Sequence, residues 1–375
     1  MLTAIADSAI PGVKELFSPF AEVKTIAGNK IQPNDLKQAD ILLIRTVTKV
    51  NSHLLADSPV KFVGTMTAGT DHLDTQWLEQ QKISWTGAAG ANAKAVVQYV
   101  IATIAHLQQQ NVLPPKSLIG IVGVGHVGSI LAKMLEVIGI DFILNDPPRA
   151  LQDSNFISTP LNKFKNVDLI TLHVPFIKSG AHSTLNLISE DFSFKEKSIL
   201  INTSRGEAVD PKVFKKDIIT CLDVWKNEPH IDLEIFQHSL ISTPHIAGYS
   251  LPAKLRATIM VFKAAAKFFQ WKIGDEGETL LANASPQKIL NLPNAQTWQE
   301  VVLNAYNIEQ ESLNYKKDLL QHRDKVAERY EYLRRNYPLR PEFETFVIQA
   351  SQLHEKDKGV LRGLGFNFLL GGHKG

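Results

Sequence analysis

Apolar positions in this chain come in strand-sized runs separated by stretches of helical periodicity. Over residues 1–90, "LTAIAD", "DILLIR", "VKFVGTM" and "KISWTGA" read as strands, with amphipathic helices such as "TDHLDTQWLEQQ" between them. Strands that alternate with helices predict a parallel sheet with crossover helices. Next, "NAKAVVQYVIATIAHLQQQ" has an apolar face that continues for several turns, with Asn92 placed to cap it, and predicts a long buried helix. It leads into "SLIGIVGVGHVGSILAKMLEVIGIDFILNDPP", which reads as strand, Gly-rich turn, helix and second strand. The runs "VDLITLHVP", "SILINTS", "IITCLDVW" and "SLISTPHI" are apolar throughout, as strands buried on both faces require.

Beyond these, "PAKLRATIMVFKAAAKFFQWK" predicts another long helix that returns the chain to its first domain. The polar stretch "GDEGETLLANASPQKILNLPN" reads as a linker. The remainder, with helical "TWQEVVLNAYNIEQESL" and "LLQHRDKVAERYEYLRRNY", strand-like "FETFVIQAS" and a closing "GVLRGLGFNF", predicts a small α+β appendix. The boundaries expected are 1–92 with 250–285 for one domain, 93–249 for a Rossmann-type doubly wound parallel sheet, and 286–375 for the appendix.

Composition narrows the partners. A chain of 375 residues exceeds one ordinary core, so several domains are expected. A formal net charge of +2 gives no reason to expect nucleic acid or an anionic membrane as the main partner. The longest apolar runs fall far short of a membrane span. The N-terminal "MLTAIADSAIPG" lacks the basic-then-apolar order of a signal peptide, so the cytoplasm is the expected location. Cys221 is the one cysteine, which excludes an internal disulfide or a cysteine-based zinc site, and no metal is expected.

The run "GIVGVGHVGS" places Gly123, Gly125 and Gly128 in a G-x-G-x-x-G pattern at a strand-to-helix junction. Such glycines permit a tight turn, close approach to a pyrophosphate, and helix–strand contact, while the helix N-terminus attracts phosphate. Asp146 stands 18 residues beyond Gly128, at the end of the next strand, where an acid accepts from ribose hydroxyls and repels a 2′-phosphate. These features predict NAD; Arg149, which could receive a 2′-phosphate, leaves NADP open. Val127 is expected to pack on the cofactor, and His126 either touches phosphate or lines the rim.

Three polar residues follow strand ends further on: Arg205 in "SILINTSRGEAVD", Glu228 in "IITCLDVWKNEP" and His245 in "LISTPHIAGYS". In an open parallel sheet the carboxyl ends of the strands form the ligand crevice, so these loops converge. Arginine can hold a substrate carboxylate through its planar fork. Histidine can take a hydroxyl proton as hydride leaves. Glutamate can hold the other ring nitrogen and stabilise the imidazolium. Singly, the same residues could be a loop salt bridge, a solvated charge and a histidine on a turn; their joint placement points to 2-hydroxyacid oxidation.

With "SRG…VD", "DVW…EP" and "TPHIAG" in this order, the chain resembles the D-2-hydroxyacid dehydrogenase family. The stretches "RTVTKVN", "KFVGTMTAGTDHLD", "NDPPRA", "RRNY" and "LGFN" resemble a branch of that family with an extra C-terminal dimerisation domain. The resemblance implies a flavodoxin-like substrate domain and Arg205, Glu228 and His245 as catalytic residues. It further implies Thr46, Thr67 and Tyr249 at the substrate, and Asp146, Val174, Thr203, Ser204, Arg205, Asp223 and Gly248 along the NAD site. A small phosphorylated hydroxyacid substrate and a homodimer are implied as well. Arg45, Lys49, Arg340 and the tail arginines are the candidate partners of a substrate phosphate. Two alternatives stand: a glycerate- or lactate-type D-2-hydroxyacid dehydrogenase, and a non-catalytic NAD(H)-sensing interaction protein.

One departure from the family pattern lies between Arg205 and Glu228, which are only 23 residues apart. "AVDPKVFKKDIITCLDVW" leaves room for about two helical turns, started by Pro211. A shortened helix on the outer face of the sheet is expected, with both flanking strand ends preserved.

Overall fold

In a computed structural model that describes residues 1–369, the chain forms two units, 1–92 with 250–286, and 93–249 with 287–369. It begins in the first unit with β1 (Leu2–Asp7), α1 (Val13–Phe17), β2 (Ala21–Ile26), β3 (Ile41–Ile44), β4 (Phe62–Thr65), α2 (Thr75–Gln80) and β5 (Ser84–Gly87). All strand pairings are parallel in the order β2-β1-β3-β4-β5. That is the flavodoxin-like order, with its switch point between β1 and β3. β2 carries no continuous apolar run because it is an edge strand with half its side chains exposed. α2 is shorter than its periodicity suggests: the Asp74 side chain accepts from the Trp77 amide and starts the helix there.

The chain then enters the second unit with α3 (Ala93–Gln109), β6 (Leu118–Val122), α4 (His126–Ile138), β7 (Asp141–Asn145), α5 (Pro147–Gln152), β8 (Leu169–Leu172), β9 (Ile199–Asn202), β10 (Ile219–Leu222), α6 (Leu233–His238) and β11 (Ile241–Ser242). The parallel order β11-β10-β9-β8-β6-β7 makes a doubly wound sheet whose direction reverses between β6 and β8. β8 and β9 are buried at every position, as their uninterrupted apolar runs require. Between Arg205 and Glu228 the expected shortened helix is smaller still, a 3-10 turn over Pro211–Lys215 capped by Asp210.

The chain returns to the first unit through α7 (Leu251–Phe269) and α8 (Glu276–Ala284). It ends in the second with β12 (Lys288–Asn291), α9 (Trp298–Ala305), α10 (Ile308–Gln321), α11 (Val326–Arg335), β13 (Phe346–Gln349), α12 (Glu355–Gly363) and β14 (Asn367–Phe368). The stretch expected to be a linker is therefore ordered as α8 and β12. Gly277 lets α8 approach α7 closely, since a Cβ there would lie 2.8 Å from Ile259. β12 is exposed and polar, which hides it in the sequence, yet it pairs in parallel with β13, and β13 with β14. The C-terminal segment shares its core with the doubly wound sheet: Trp298, Val301, Val302, Tyr306 and Tyr315 join one apolar cluster with Tyr99, Ile119 and Phe236. Among the described residues no helix is long and apolar enough to cross a membrane.

Candidate active site

The strand β6 runs straight into the glycine turn, and each glycine answers a different constraint. Gly123 has φ +86° and a Cβ there would lie 2.6 Å from the His173 carbonyl. Gly128 would bring a Cβ to 2.2 Å from the Gly123 carbonyl, so helix and turn could not close on each other. Both are demanded by the protein itself. A Cβ on Gly125 would meet no protein atom within 4 Å. The missing side chain there serves space outside the protein, at the N-terminus of the 13-residue helix α4. A pyrophosphate fits that space, at the positive end of the helix. His126 is exposed on the rim, and Val127 is half-buried against the core of its own unit.

Asp146, at the end of β7, is tied to the same turn. Its Oδ2 accepts from the Val124 amide at 2.8 Å and its Oδ1 from the Arg149 amide at 3.0 Å, which caps α5. Arg149 folds back instead of reaching outward. Its Nη1 donates to the Val124 carbonyl at 2.8 Å and the Ser129 hydroxyl at 3.0 Å, and its guanidinium lies 4.3 Å over the Phe156 ring. Arg149, the cation considered for a 2′-phosphate, is thus engaged in bracing the turn.

After β8 come His173 and Val174, and after β9 come Thr203, Ser204 and Arg205. The His173 ring is held between two threonine hydroxyls, Thr171 on Nε2 and Thr203 on Nδ1, each at 3.0 Å. Desolvation of the ring, which is well covered although the residue keeps some surface, lowers its pKa to about 3, so it is neutral. The Asn202 amide shapes the turn before Arg205: its oxygen accepts from the Ser204 amide and hydroxyl, and its nitrogen donates to the Arg205 carbonyl at 3.0 Å. Gly206 then allows this loop to touch the next one, because a Cβ would lie 2.0 Å from the Trp225 carbonyl carbon. That contact sets the Arg205 loop directly beside the loop bearing Glu228.

Glu228 and His245 meet as the sequence predicts: His245 Nδ1 and Glu228 Oε2 lie 2.8 Å apart. The other carboxylate oxygen accepts from the Trp225 amide at 2.9 Å, and the Trp225 indole donates to the Thr243 carbonyl at 2.9 Å, joining the two loops. Burial opposes the charge on Glu228, but the imidazole of His245, its hydrogen bond and the guanidinium of Arg334 outweigh it and hold the carboxyl below its usual range. His245 itself has φ +57°, a left-handed conformation that is costly for a residue with a Cβ.

Asp223 explains how that conformation is held. Its fully buried carboxylate accepts from the Thr243 hydroxyl and the Ile246 amide, both at 2.7 Å, and from the Ala247 amide at 2.9 Å. The Asp223 carbonyl accepts from the His245 amide at 2.7 Å. The resemblance assigned Asp223 to the cofactor; the structure places its carboxylate beneath the histidine loop, with protein donors on both oxygens. Gly248 and Tyr249 follow on the same loop, and the Tyr249 ring has Arg334 5.9 Å above it and Tyr337 packed edge-on. Arg334 is the tail arginine that reaches the site, and nothing in its sequence neighbourhood distinguishes it from Arg335.

The first unit carries Thr46 and Thr67, after the adjacent strands β3 and β4. Thr46 is exposed. The Thr67 hydroxyl donates to the Gly69 carbonyl and shares a chain with Thr65 and the His72 ring, each link 2.8 Å. Two of the cations considered for a substrate phosphate are already occupied. Arg45 makes a two-point ion pair with buried Asp7, Nε to Oδ2 at 2.8 Å, and Arg340 is buried among carbonyls in the second unit.

Comparison with known proteins agrees with this geometry. Residues 103–247 match the family described as D-isomer specific 2-hydroxyacid dehydrogenase, NAD binding domain. An erythronate-4-phosphate dehydrogenase of Coxiella burnetii is 42% identical over 354 residues, covering 93% of this chain and 95% of its own. One from Proteus mirabilis is 36% identical, covering 97% and 98%. Among solved structures, D-lactate dehydrogenase from Aquifex aeolicus, complexed with NAD and lactic acid, superposes with a TM-score of 0.58 at 22% identity, covering 72% of this chain and 96% of its own. The NAD+-bound 3-phosphoglycerate dehydrogenase of Entamoeba histolytica gives 0.60 at 21%, with 72% and 96% covered. At those identities the solved structures speak for the fold alone. The curated relatives, similar across nearly the whole length, show that the chain belongs to the erythronate-4-phosphate dehydrogenase family of NAD-dependent 2-hydroxyacid dehydrogenases.

Proposed function

We propose that this protein oxidises 4-phospho-D-erythronate to 2-oxo-3-hydroxy-4-phosphobutanoate with NAD, a step of pyridoxal 5′-phosphate biosynthesis. The observation that carries the mechanism is the 2.8 Å contact between His245 Nδ1 and Glu228 Oε2. An ionised carboxylate is an acceptor only, so Nδ1 carries a proton, and in the neutral ring the lone pair is then on Nε2. Nε2 of His245 takes the proton of the substrate C2 hydroxyl as the C2–H bond breaks. NAD, held at the glycine turn, would supply the acceptor for the C2 hydride. The imidazolium that results faces Glu228, whose charge stabilises it. Arg205 holds the substrate carboxylate through its guanidinium fork.

The remaining assignments follow the same reading. Thr46, Thr67 and Tyr249 contact the substrate, and Arg334 adds positive potential beside His245 that suits an anionic one. The glycine turn, Asp146, Val174, Thr203, Ser204 and Gly248 line the cofactor. The protein works as a homodimer in the cytoplasm. Neither a glycerate- or lactate-type activity nor a purely NAD-sensing role is favoured, since the relatives similar over the full length carry the phosphoerythronate name.

The test is turnover of the purified protein on 4-phosphoerythronate against erythronate, glycerate and lactate, with an α-keto acid supplied to reoxidise any retained NADH. Preference for the phosphorylated acid is expected, together with loss of turnover and retention of NAD binding in His245→Ala. Equal rates on the unphosphorylated acids would overturn the substrate assignment, and an active His245→Ala the base assignment. Light scattering on the eluted protein reads the dimer.

A further inference from the structure

The loop that carries His245 is gripped from two sides by opposite charges, and only one of them comes from the nucleotide-binding sheet. Asp223 takes the amides of Ile246 and Ala247. The carbonyls of the same loop belong to Arg340, which lies between α11 and β13 and is 8% exposed. Its Nη2 donates to the Ala247 carbonyl at 2.5 Å and to the Ala95 carbonyl of α3 at 2.8 Å. Its Nη1 donates to the carbonyls of Ile246 at 3.2 Å and Tyr249 at 3.1 Å.

The guanidinium is itself immobilised. It lies 4.4 Å over the ring of Tyr306, the residue that ends α9, and Nη1 reaches the Tyr337 hydroxyl at 3.4 Å. Behind it Glu311 accepts from both phenols, Tyr306 at 2.9 Å and Tyr337 at 2.8 Å, so the counter-charge acts through two hydroxyls instead of by direct contact. A buried arginine with four backbone carbonyls on its two terminal nitrogens can be replaced by no other side chain. Lysine offers one point charge where a planar fork is required. The segment it holds is the one with most need of support, because His245 stands at φ +57° and Tyr249 follows four residues later.

From this juxtaposition we infer that Arg340 is a positioning residue for the reaction: with Asp223 it clamps residues 245–249 so that the imidazole and Tyr249 keep their aim. The C-terminal segment is thereby part of the catalytic apparatus of its own chain. The inference rests on His245 being the base, as proposed above. It adds that the base is aimed by a residue nearly one hundred positions away, at Arg340.

The experiment uses the full-length protein in four forms: wild type, Arg340→Ala, Arg340→Lys and His245→Ala. NAD affinity, the folded fraction in urea, kcat and KM are measured for each, with and without millimolar guanidinium. A displacement of about 1 Å in a reacting group costs about 100-fold in rate, and a fall of that order in kcat per folded molecule is expected for Arg340→Ala. NAD affinity should persist, since the glycine turn is untouched. Guanidinium should restore part of the rate by refilling the vacated site, and Arg340→Lys should recover less than guanidinium does. If Arg340→Ala is insoluble, Arg340→Lys carries the test, and a wild-type kcat in it overturns the inference. So does a wild-type kcat per folded Arg340→Ala molecule, or a loss explained wholly by the unfolded fraction. An inactive His245→Ala beside an active Arg340→Ala sinks the clamp alone; an active His245→Ala sinks the reading beneath it.

Discussion

Replacing Glu228 with glutamine keeps the shape of the dyad and reverses its hydrogen-bond sense. In the wild type both carboxylate oxygens accept, one from the Trp225 amide at 2.9 Å and the other from His245 Nδ1 at 2.8 Å. Glutamine has one oxygen. The Trp225 amide, on a residue only 5% exposed, needs an acceptor, so the oxygen goes there and the NH2 group faces the imidazole. Nδ1 must then accept, the ring proton moves to Nε2, and the histidine can no longer act as a base. Turning the amide round restores the productive tautomer but orphans the Trp225 N–H, at a cost of about 1–3 kcal/mol.

The lost charge adds a second penalty, since nothing now stabilises the imidazolium. Two unit charges at about 4 Å attract by about 4 kcal/mol at an effective dielectric of about 20. With the side chains of His245 and Glu228 26% and 18% exposed, solvent screening reduces that to about 2 kcal/mol. Together the two effects raise the barrier by about 3–5 kcal/mol, or about two to four powers of ten in rate. Single-turnover NADH formation measures the loss, NAD titration shows whether binding survives, and nitrogen chemical shifts of the labelled imidazole report the tautomer. A glutamine variant that keeps more than about a tenth of the rate, or that keeps its proton on Nδ1, would refute the reasoning.

Gly125→Ala and Gly128→Ala should separate cofactor from fold. The first meets no protein atom and should leave the urea midpoint nearly unchanged while weakening NAD binding about tenfold or more; the second drives a Cβ to 2.2 Å from a carbonyl and should cost about 1–3 kcal/mol of folding stability. Asp146→Ala removes the α5 cap, worth about 1 kcal/mol, and should shift the ratio of kcat/KM for NADP against NAD upward. An unchanged ratio would show that Asp146 does not read the ribose. The neutral His173, with its pKa near 3, takes up no proton where an unfolded histidine, at about 6.5, does. The unfolded state therefore binds more protons between those values, and stability falls as the pH is lowered through that window. From pH 7 to 5 this group should remove about 2 kcal/mol, a loss that His173→Asn should lack in urea titrations at the two pH values.

What was legible in the sequence is what repeats locally. Apolar runs marked β1, β3, β4, β5 and the six strands of the doubly wound sheet, most plainly β3, β4, β8 and β9, which are buried at every position. The glycine turn was legible because three separate constraints act within six residues. The strand-end motifs placed Arg205, Glu228 and His245 because a parallel sheet delivers its loops to one edge. β2 and β12 escaped because they are edge strands with half or more of their side chains exposed, which leaves no apolar run. Arg149, Arg340 and Asp223 were named as ligand-facing groups, and in the structure each also holds backbone: a charged residue near a binding motif suggests a ligand, and only its partners show the backbone it braces. Those partners lie up to 245 positions away, beyond any local pattern.

The short segment between Arg205 and Glu228 shows why the site survives a change that looks threatening on paper. What separates the two loops in space is one strand pairing, since β9 and β10 are neighbours with Asn202 opposite Leu222. The length of chain that crosses between them is free to vary, provided it returns to the same strand start. Here a 3-10 turn over Pro211–Lys215 does so, with Val213 buried beneath it and Asp210 capping it. The contact that does not tolerate change is the one across the strand ends, where the Gly206 position leaves no room for a Cβ against Trp225. Distance along the chain is therefore a poor guide to damage at this site, and closeness of backbone at the sheet edge is a good one. Lengthening the 211–215 turn should leave the dyad and its chemistry in place, while a single methyl group at position 206 should pry Arg205 away from Glu228.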